Sequence, residues 1–133
     1  MSRASAKAAL SQYSKNAVVT GIESANPHRL IQMLMEGALD KIASARGHMQ
    51  RNTVSDKCQK IGCAIAIIKG LRMSLDQEKG GEIAINLDDL YDYMERRLLE
   101  ANRVNDVGLL DEVTNLLREI KEAWDAIAGH ATA

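Results

Sequence analysis

Apolar residues recur at steps of three and four along four consecutive segments of this chain, and this period constrains the fold more than any other feature. The first series consists of Ile31, Leu34, Ala38, Ile42, Ala45 and Met49. The second consists of Val54, Cys58, Ile61, Ile65, Ile68 and Leu75, with Arg72 as its one break. The third consists of Ile83, Leu87, Leu90, Met94, Leu98 and Ala101, and the fourth of Val107, Leu110, Val113, Leu117, Ile120, Trp124 and Ile127. Such spacing places a single apolar stripe on one face of an α-helix.

The connections between these segments determine how the helices pack. Each segment is long enough for a helix of about 20–25 residues, and only a few residues join one segment to the next. Connections that short force neighbouring helices to run antiparallel. The sequence therefore predicts an all-α chain in which residues 26–129 form an antiparallel up-down four-helix bundle.

Local signals mark where the helices begin and end. Asn26 is a favoured N-cap, and the Pro that follows it suits the first helical position. Thr53 and the pair Asn105-Asp106 are predicted to open the second and fourth helices. The pair Gly80-Gly81 is predicted to end the second helix, so that the third begins at about Glu82.

Composition excludes several classes of protein. The chain has no Phe, one Pro and only four aromatic residues, whereas a β-sandwich depends on aromatic and β-branched strands. The net charge of -1 gives no electrostatic footprint for nucleic acid. No apolar run approaches the ~18 residues of a membrane span, and no secretory signal opens the chain. We expect a cytoplasmic protein with no membrane insertion.

The two ends of the chain lack the pattern of the bundle. Residues 1–25 are predicted to form a mobile arm that includes a short helix with Leu10 and Tyr13 on its apolar side. Residues 130–133 are predicted to be a disordered tail. Leu10 and Tyr13 suggest either a regulated cover over an apolar patch or an ordinary packing arm, and the residues leave both possibilities open.

The first two helices carry more apolar residues than one stripe needs. A second line on the second helix consists of Ala64, Ile67, Leu71 and Leu75, and the first helix adds Leu30, Met33, Met35 and Leu39. One interpretation is a wide core face. The other is a groove for an amphipathic or extended partner segment, where Met adapts its shape.

Candidates for metal or catalytic chemistry are weak. Asp88, Asp92 and Glu95 share a helix face, but basic residues nearby predict a solvated charged face rather than a metal site. None of the three histidines follows a Glu by three residues, as a di-metal bundle core requires. Cys58 and Cys63 lie about 140° apart on a helix, too divergent for a shared metal or a disulfide. We expect no enzyme activity, no metal and no cofactor.

Four ring-bearing residues receive separate predictions. His28 at the start of a helix is expected to face solvent, and Trp124 on the fourth stripe is expected to be buried. Tyr91 and Tyr93 lie about 200° apart, so at most one of them belongs fully to the core. The other is a candidate contact at the rim of a binding surface.

The central part of the chain resembles a known family. The runs Leu75–Ala84, Leu90–Met94 and Arg96–Asn102 are similar to the signature of the FliS family, the export chaperones of bacterial flagellin. The resemblance extends upstream through Pro27–Leu34 and covers roughly residues 8–128. Asn26 replaces the Ser expected in the family, and either residue caps a helix.

The resemblance implies a non-enzymatic cytoplasmic chaperone with a helical bundle and an N-terminal cap. Members bind the C-terminal region of flagellin, which is disordered in the monomer, prevent its premature polymerisation and accompany it to the type III export gate. Other flagellar regulators are further candidate partners, and the chaperone is expected to be a monomer or weak homodimer. The alternative is a structural module that homodimerises through its surplus apolar face.

These considerations select ten residues for partner binding. Two lie in the arm, six lie on the first two helices, and two are the tyrosines of the third helix. They are Leu10, Tyr13, Ile31, Leu34, Met35, Ile67, Leu71, Leu75, Tyr91 and Tyr93.

Overall fold

A computed structural model describes residues 26–127, which form four α-helices. Their bounds are Pro27–Gln50 (α1), Val54–Met73 (α2), Gln77–Val104 (α3) and Val107–Ala126 (α4). The all-α prediction is confirmed. The predicted arm, with Leu10 and Tyr13, and the predicted tail lie outside the described residues.

The four helices form a closed ring. Close backbone contacts join α1 to α2, α2 to α3, α3 to α4 and α4 back to α1, and between residues 26 and 127 neither diagonal pair makes such contacts. This neighbour pattern, with connections of a few residues, is that of an up-down four-helix bundle.

Side-chain caps start three of the helices. Asn26 Oδ1 accepts a hydrogen bond from the backbone N–H of Arg29 at 2.8 Å, and Asp106 caps α4 in the same way. The side-chain caps predicted at Asn26 and Asp106 are therefore confirmed, whereas the one predicted at Thr53 is wrong, although α2 does begin directly after that residue. Thr53 makes no side-chain cap, because its hydroxyl donates instead to the carbonyl oxygen of His48 at 3.2 Å.

The predicted boundary at Gly80-Gly81 is wrong for α2. That helix ends at Met73, and Asp76 caps a new helix by accepting from two backbone N–H groups at 3.1 Å. Gly81 nevertheless interrupts the helical backbone after one turn of α3, with φ 54° and ψ -129°. This conformation is open to glycine and strained for any residue with a Cβ.

All four stripes contribute to one aliphatic core, and Tyr91 is the aromatic residue within it. The largest side chains buried to less than 2% exposure come from every helix. They are Leu34, Met35, Ile42, Ile61, Ile68, Leu71, Met94, Leu98, Leu110, Leu117 and Val113.

A charged network crosses from α2 to α3. The Arg72 guanidinium donates to Asp88 at 3.0 Å, to Asp92 at 3.3 Å and to Glu95 at 3.0 Å, and Lys69 also donates to Glu95. The hydrogen bond to Asp88, with that to Glu95, raises the pKa of Arg72 above its usual value. The predicted solvated face is wrong for Glu95, which is only 4% exposed because cations from α2 cover it. The break in the α2 stripe is thus a contact between helices.

Replacing Arg72 with alanine should destabilise the bundle by about 2–3 kcal/mol, since Glu95 loses one of its two cations while remaining buried. Urea unfolding followed by far-UV circular dichroism measures this change. Arg96→Ala is the matched control, because Arg96 also binds Asp92 at 3.0 Å but lies at the surface. That control should cost no more than about 0.5 kcal/mol, and equal effects of the two substitutions would contradict the assigned role.

Two glycine substitutions should change stability in opposite directions. Gly81→Ala should cost about 2 kcal/mol, because it places a Cβ at a positive φ. Gly62→Ala should stabilise by up to about 1 kcal/mol, since Gly62 lies within α2 and its added Cβ meets no atom within 4 Å. Midpoints of thermal unfolding should move down and up respectively, and a Gly81→Ala chain as stable as the parent would show that the interruption of α3 is not required.

Candidate partner-binding surface

Residues 26–127 leave much of the apolar stripe of α3 exposed over the first half of the helix. Met94 is fully buried, but Leu90 is 37% exposed, Leu87 is only partly buried and Ile83 is 72% exposed. These residues share one helix face. The period places these residues on one apolar face, but the fold leaves Ile83 and Leu90 of that face exposed.

Polar contacts on both sides fix the rotation of α3. Towards α2, the helix presents the carboxylates that bind Arg72. Towards α4, the Tyr93 hydroxyl donates to Glu112 at 2.6 Å, and Arg97 donates to the other carboxylate oxygen of Glu112 at 2.7 Å. These hydrogen bonds hold the pKa of Glu112 below its usual value, the one from Tyr93 having the larger effect. The apolar stripe of α3 therefore lies between its polar contacts with α2 and its polar contacts with α4.

Helix α4 extends the apolar surface on the far side. Leu116 and Ile120 are partly buried and follow Glu112 by one and two turns. Because α4 runs antiparallel to α3 and Glu112 contacts Tyr93, moving along α4 from Glu112 leads towards Leu90 and then Ile83. We name this region the α3/α4 surface and define it by Ile83, Leu87, Leu90, Leu116 and Ile120.

The six residues predicted to line a groove on α1 and α2 are not part of the α3/α4 surface. Four belong to the core cluster, with at most 8% exposure: Leu34, Met35, Ile67 and Leu71. Ile31 and Leu75 are partly buried against that cluster. Most residues of the extra apolar lines thus belong to the core cluster or pack against it. Buried side chains offer a partner no surface in this conformation, and the role of these six in binding stays a prediction, as it does for Leu10 and Tyr13.

The two tyrosines of α3 lie in different environments, as their spacing predicts. Tyr91 is 2% exposed and belongs to the core cluster, and burial raises its pKa to about 12. Tyr93 is half-buried, with the guanidinium groups of Arg96 and Arg97 over its ring at 5.7 and 5.6 Å. At most one tyrosine is fully in the core, as expected, and Tyr93 lies at the rim of the α3/α4 surface.

A stacked pair joins the start of α1 to the end of α4. The rings of His28 and Trp124 lie 4.5 Å apart and almost parallel, and Trp124 Nε1 donates to the His28 carbonyl oxygen at 3.0 Å. The expectation that His28 faces solvent is wrong, because the indole covers its ring and leaves it 5% exposed. Trp124 is partly buried against the core rather than fully within it.

The described part of the chain shows no other candidate site. Between residues 26 and 127, no group of His, Cys, Asp and Glu side chains is arranged to hold a metal ion. No described helix is long and apolar enough to span a bilayer. Cys58 and Cys63 are free thiols, the first exposed and the second half-buried.

Comparison with known proteins gives a consistent family assignment. Residues 8–131 match the family described as "Flagellar protein FliS". The flagellar secretion chaperone FliSB of Pseudomonas aeruginosa is 53% identical over 120 residues, which cover 90% of this chain and 95% of that protein. The flagellar secretion chaperone FliS of Salmonella typhimurium is 47% identical over 121 residues, 90% of each chain. That of Vibrio cholerae is 41% identical over 121 residues, 91% of this chain and 89% of its own.

Burial of Tyr91 should make stability depend on pH in the alkaline range. The folded state holds the phenolic proton more tightly than the unfolded chain, whose tyrosine pKa is near 10. The resulting stabilisation is complete below pH 10 and is lost as the pH rises towards 12. Between pH 9 and 11 the free energy of unfolding of the parent should fall by about 1.4 kcal/mol more than that of Tyr91→Phe. Parallel urea-unfolding series for the two chains would contradict this prediction.

Proposed function

The chain belongs to the FliS family of flagellar secretion chaperones, which are not enzymes, and from that premise we propose that it binds the C-terminal region of flagellin. In this proposal, the chain acts in the cytoplasm, keeps flagellin from polymerising prematurely and assists its export by the flagellar type III apparatus. A bound C-terminal segment is unavailable for subunit contacts, so binding and the prevention of polymerisation follow from one interaction.

The uncovered stripe of α3 carries the proposal. An amphipathic helix binds an apolar groove through its own apolar residues, which recur every three, four or seven positions. On the α3/α4 surface, the apolar residues of each helix recur every three or four positions and form a continuous apolar strip. Burying one exposed Ile or Leu contributes about 1.5–3 kcal/mol. Several such contacts offset the cost of ordering a disordered segment, which is about 2–5 kcal/mol.

Contacts within the bundle support binding without rearrangement of the core. The residues that fix α3, Arg72 on one side and Glu112 on the other, are already paired in the free chain. The stripe between them is therefore preorganised, which reduces the entropy lost on binding. The client, meaning the bound flagellin segment, is the component that becomes ordered.

A substitution pair on α3 tests the surface. Ile83→Asp should weaken flagellin binding at least about tenfold, because it places a charge in the stripe and removes the burial of one Ile side chain. Ile85→Asp is the matched control, since Ile85 is 50% exposed on the same helix but lies about 200° around it. Binding is measured by calorimetric titration with flagellin, and circular dichroism confirms that both variants keep their helices.

The same titration with flagellin lacking its C-terminal segment identifies the client. Binding should be lost, and the parent chain, but not Ile83→Asp, should suppress seeded polymerisation of full-length flagellin. If flagellin without its C-terminal segment binds as well as the full-length protein, the proposed client is wrong. If Ile83→Asp binds as tightly as the parent, the proposed surface is wrong.

A further inference from the structure

Carboxylates border the α3/α4 surface on both helices. On α3, Asp89 precedes Tyr93 by one turn and Glu82 lies two turns further back, so both are on the side that Tyr93 turns towards α4. On α4, Glu119 follows Glu112 by seven residues and repeats its face two turns later. Asp89, Glu82 and Glu119 are all exposed.

These border carboxylates differ from Glu112 and Asp88, the neighbouring acidic residues that are held in ion pairs. Glu112 is paired with Arg97, and Asp88 with Arg72. Across the described residues 26–127, none of Glu82, Asp89 and Glu119 lies within 4 Å of a cationic group.

Two basic residues of α4, Lys121 and Arg118, lie on the side of the helix that faces α1, away from α3. Lys121 binds Asp125 at 2.7 Å and lies 3.6 Å from Glu36 of α1, which places it on the α1 side of the helix. Arg118 lines a shallow depression beside Leu39 of α1. Arg96 and Arg97 lie over the ring of Tyr93 at one end of the α3/α4 surface. Away from that end, the surface is apolar along its centre and negative along its borders.

We infer that the segment recognised there carries Lys or Arg residues beside its apolar face. The inference rests on the proposed function and specifies the chemistry of the client. Basic side chains flanking the apolar face would meet Asp89 and Glu119 at the rim, where opposite charges steer association and set register. A segment with acidic borders would be repelled there, so the same charges discriminate between amphipathic segments.

The border charges also argue against two other classes of ligand, nucleic acid and anionic lipid. Nucleic acid and anionic lipid are attracted by basic groups, and Glu82, Asp89 and Glu119 repel both. A peptide partner with basic borders is the macromolecule that matches an apolar centre and a negative rim together.

Two synthetic helical peptides of equal length and identical leucine spacing test the inference, one with Lys and one with Glu beside the leucines. Fluorescence anisotropy with the full chain should show the Lys peptide binding at least tenfold more tightly at about 50 mM salt, with the preference shrinking at about 300 mM as screening increases. The doubly substituted chain Asp89→Lys/Glu119→Lys should lose or reverse the preference. Asp40→Lys is the control, because Asp40 is exposed on α1, which does not contact α3.

The outcomes separate this inference from the function on which it rests. Equal affinity for the two peptides, failure of both to bind, or a preference unaffected by Asp89→Lys/Glu119→Lys overturns the inference. Flagellin binding that is sensitive to Ile83→Asp would leave the proposed function standing in each of those cases. Failure of flagellin itself to bind overturns the proposed function, whichever peptide is preferred.

Discussion

Arg72 sets how α3 lies on the rest of the bundle. It occupies a position in the α2 stripe where an apolar residue would continue the core, and it binds three carboxylates spread over two turns of α3. Apolar contacts are non-directional and tolerate rotation of a helix about its axis, whereas a guanidinium held by Asp88 and Glu95 fixes that rotation. With Tyr93 and Arg97 bound to Glu112 on the opposite side, α3 has one orientation. In that orientation Met94 is in the core and Ile83 is in solvent.

The core contains no Phe, so aliphatic side chains fill it while the polar contacts of Arg72 and Glu112 orient α3. Leu, Ile, Met and Ala fill most of the centre of the bundle, and most residues of the extra apolar lines on α1 and α2 belong to that core or pack against it. The cohesion of the bundle therefore depends little on Ile83 and Leu90, the exposed residues of the α3 stripe. Because α1 and α2 supply so much of the buried area, α3 can leave Ile83 and Leu90 exposed and the core still closes.

Most local features of the fold were predictable from the sequence, although the end of α2 was not, and relations between helices were predictable only in part. The caps at Asn26 and Asp106 and the four stripes are determined by neighbouring residues, so short-range rules identify them. Whether a stripe is covered depends on another helix. The period placed Ile83 in the apolar stripe but could not show whether it is covered, because it reports which face is apolar and not what lies opposite. Arg72, which the stripe identified as a break, was the one signal that α2 and α3 meet through charges. His28 gave no such signal, since its partner Trp124 is 96 residues away.

An exposed apolar stripe is also a route to self-association, and the charges around it act against that outcome. Two copies that paired through the α3/α4 surface in an isologous contact would bring the same patch together twice. Glu82, Asp89 and Glu119 of one copy would then approach those of the other, and like charges at an interface disfavour the pairing. The structural module that dimerises through surplus apolar area therefore fits this surface less well than a chaperone for a partner with basic borders. In the proposed function, the carboxylates that would select the client would also oppose pairing of the free chain with itself.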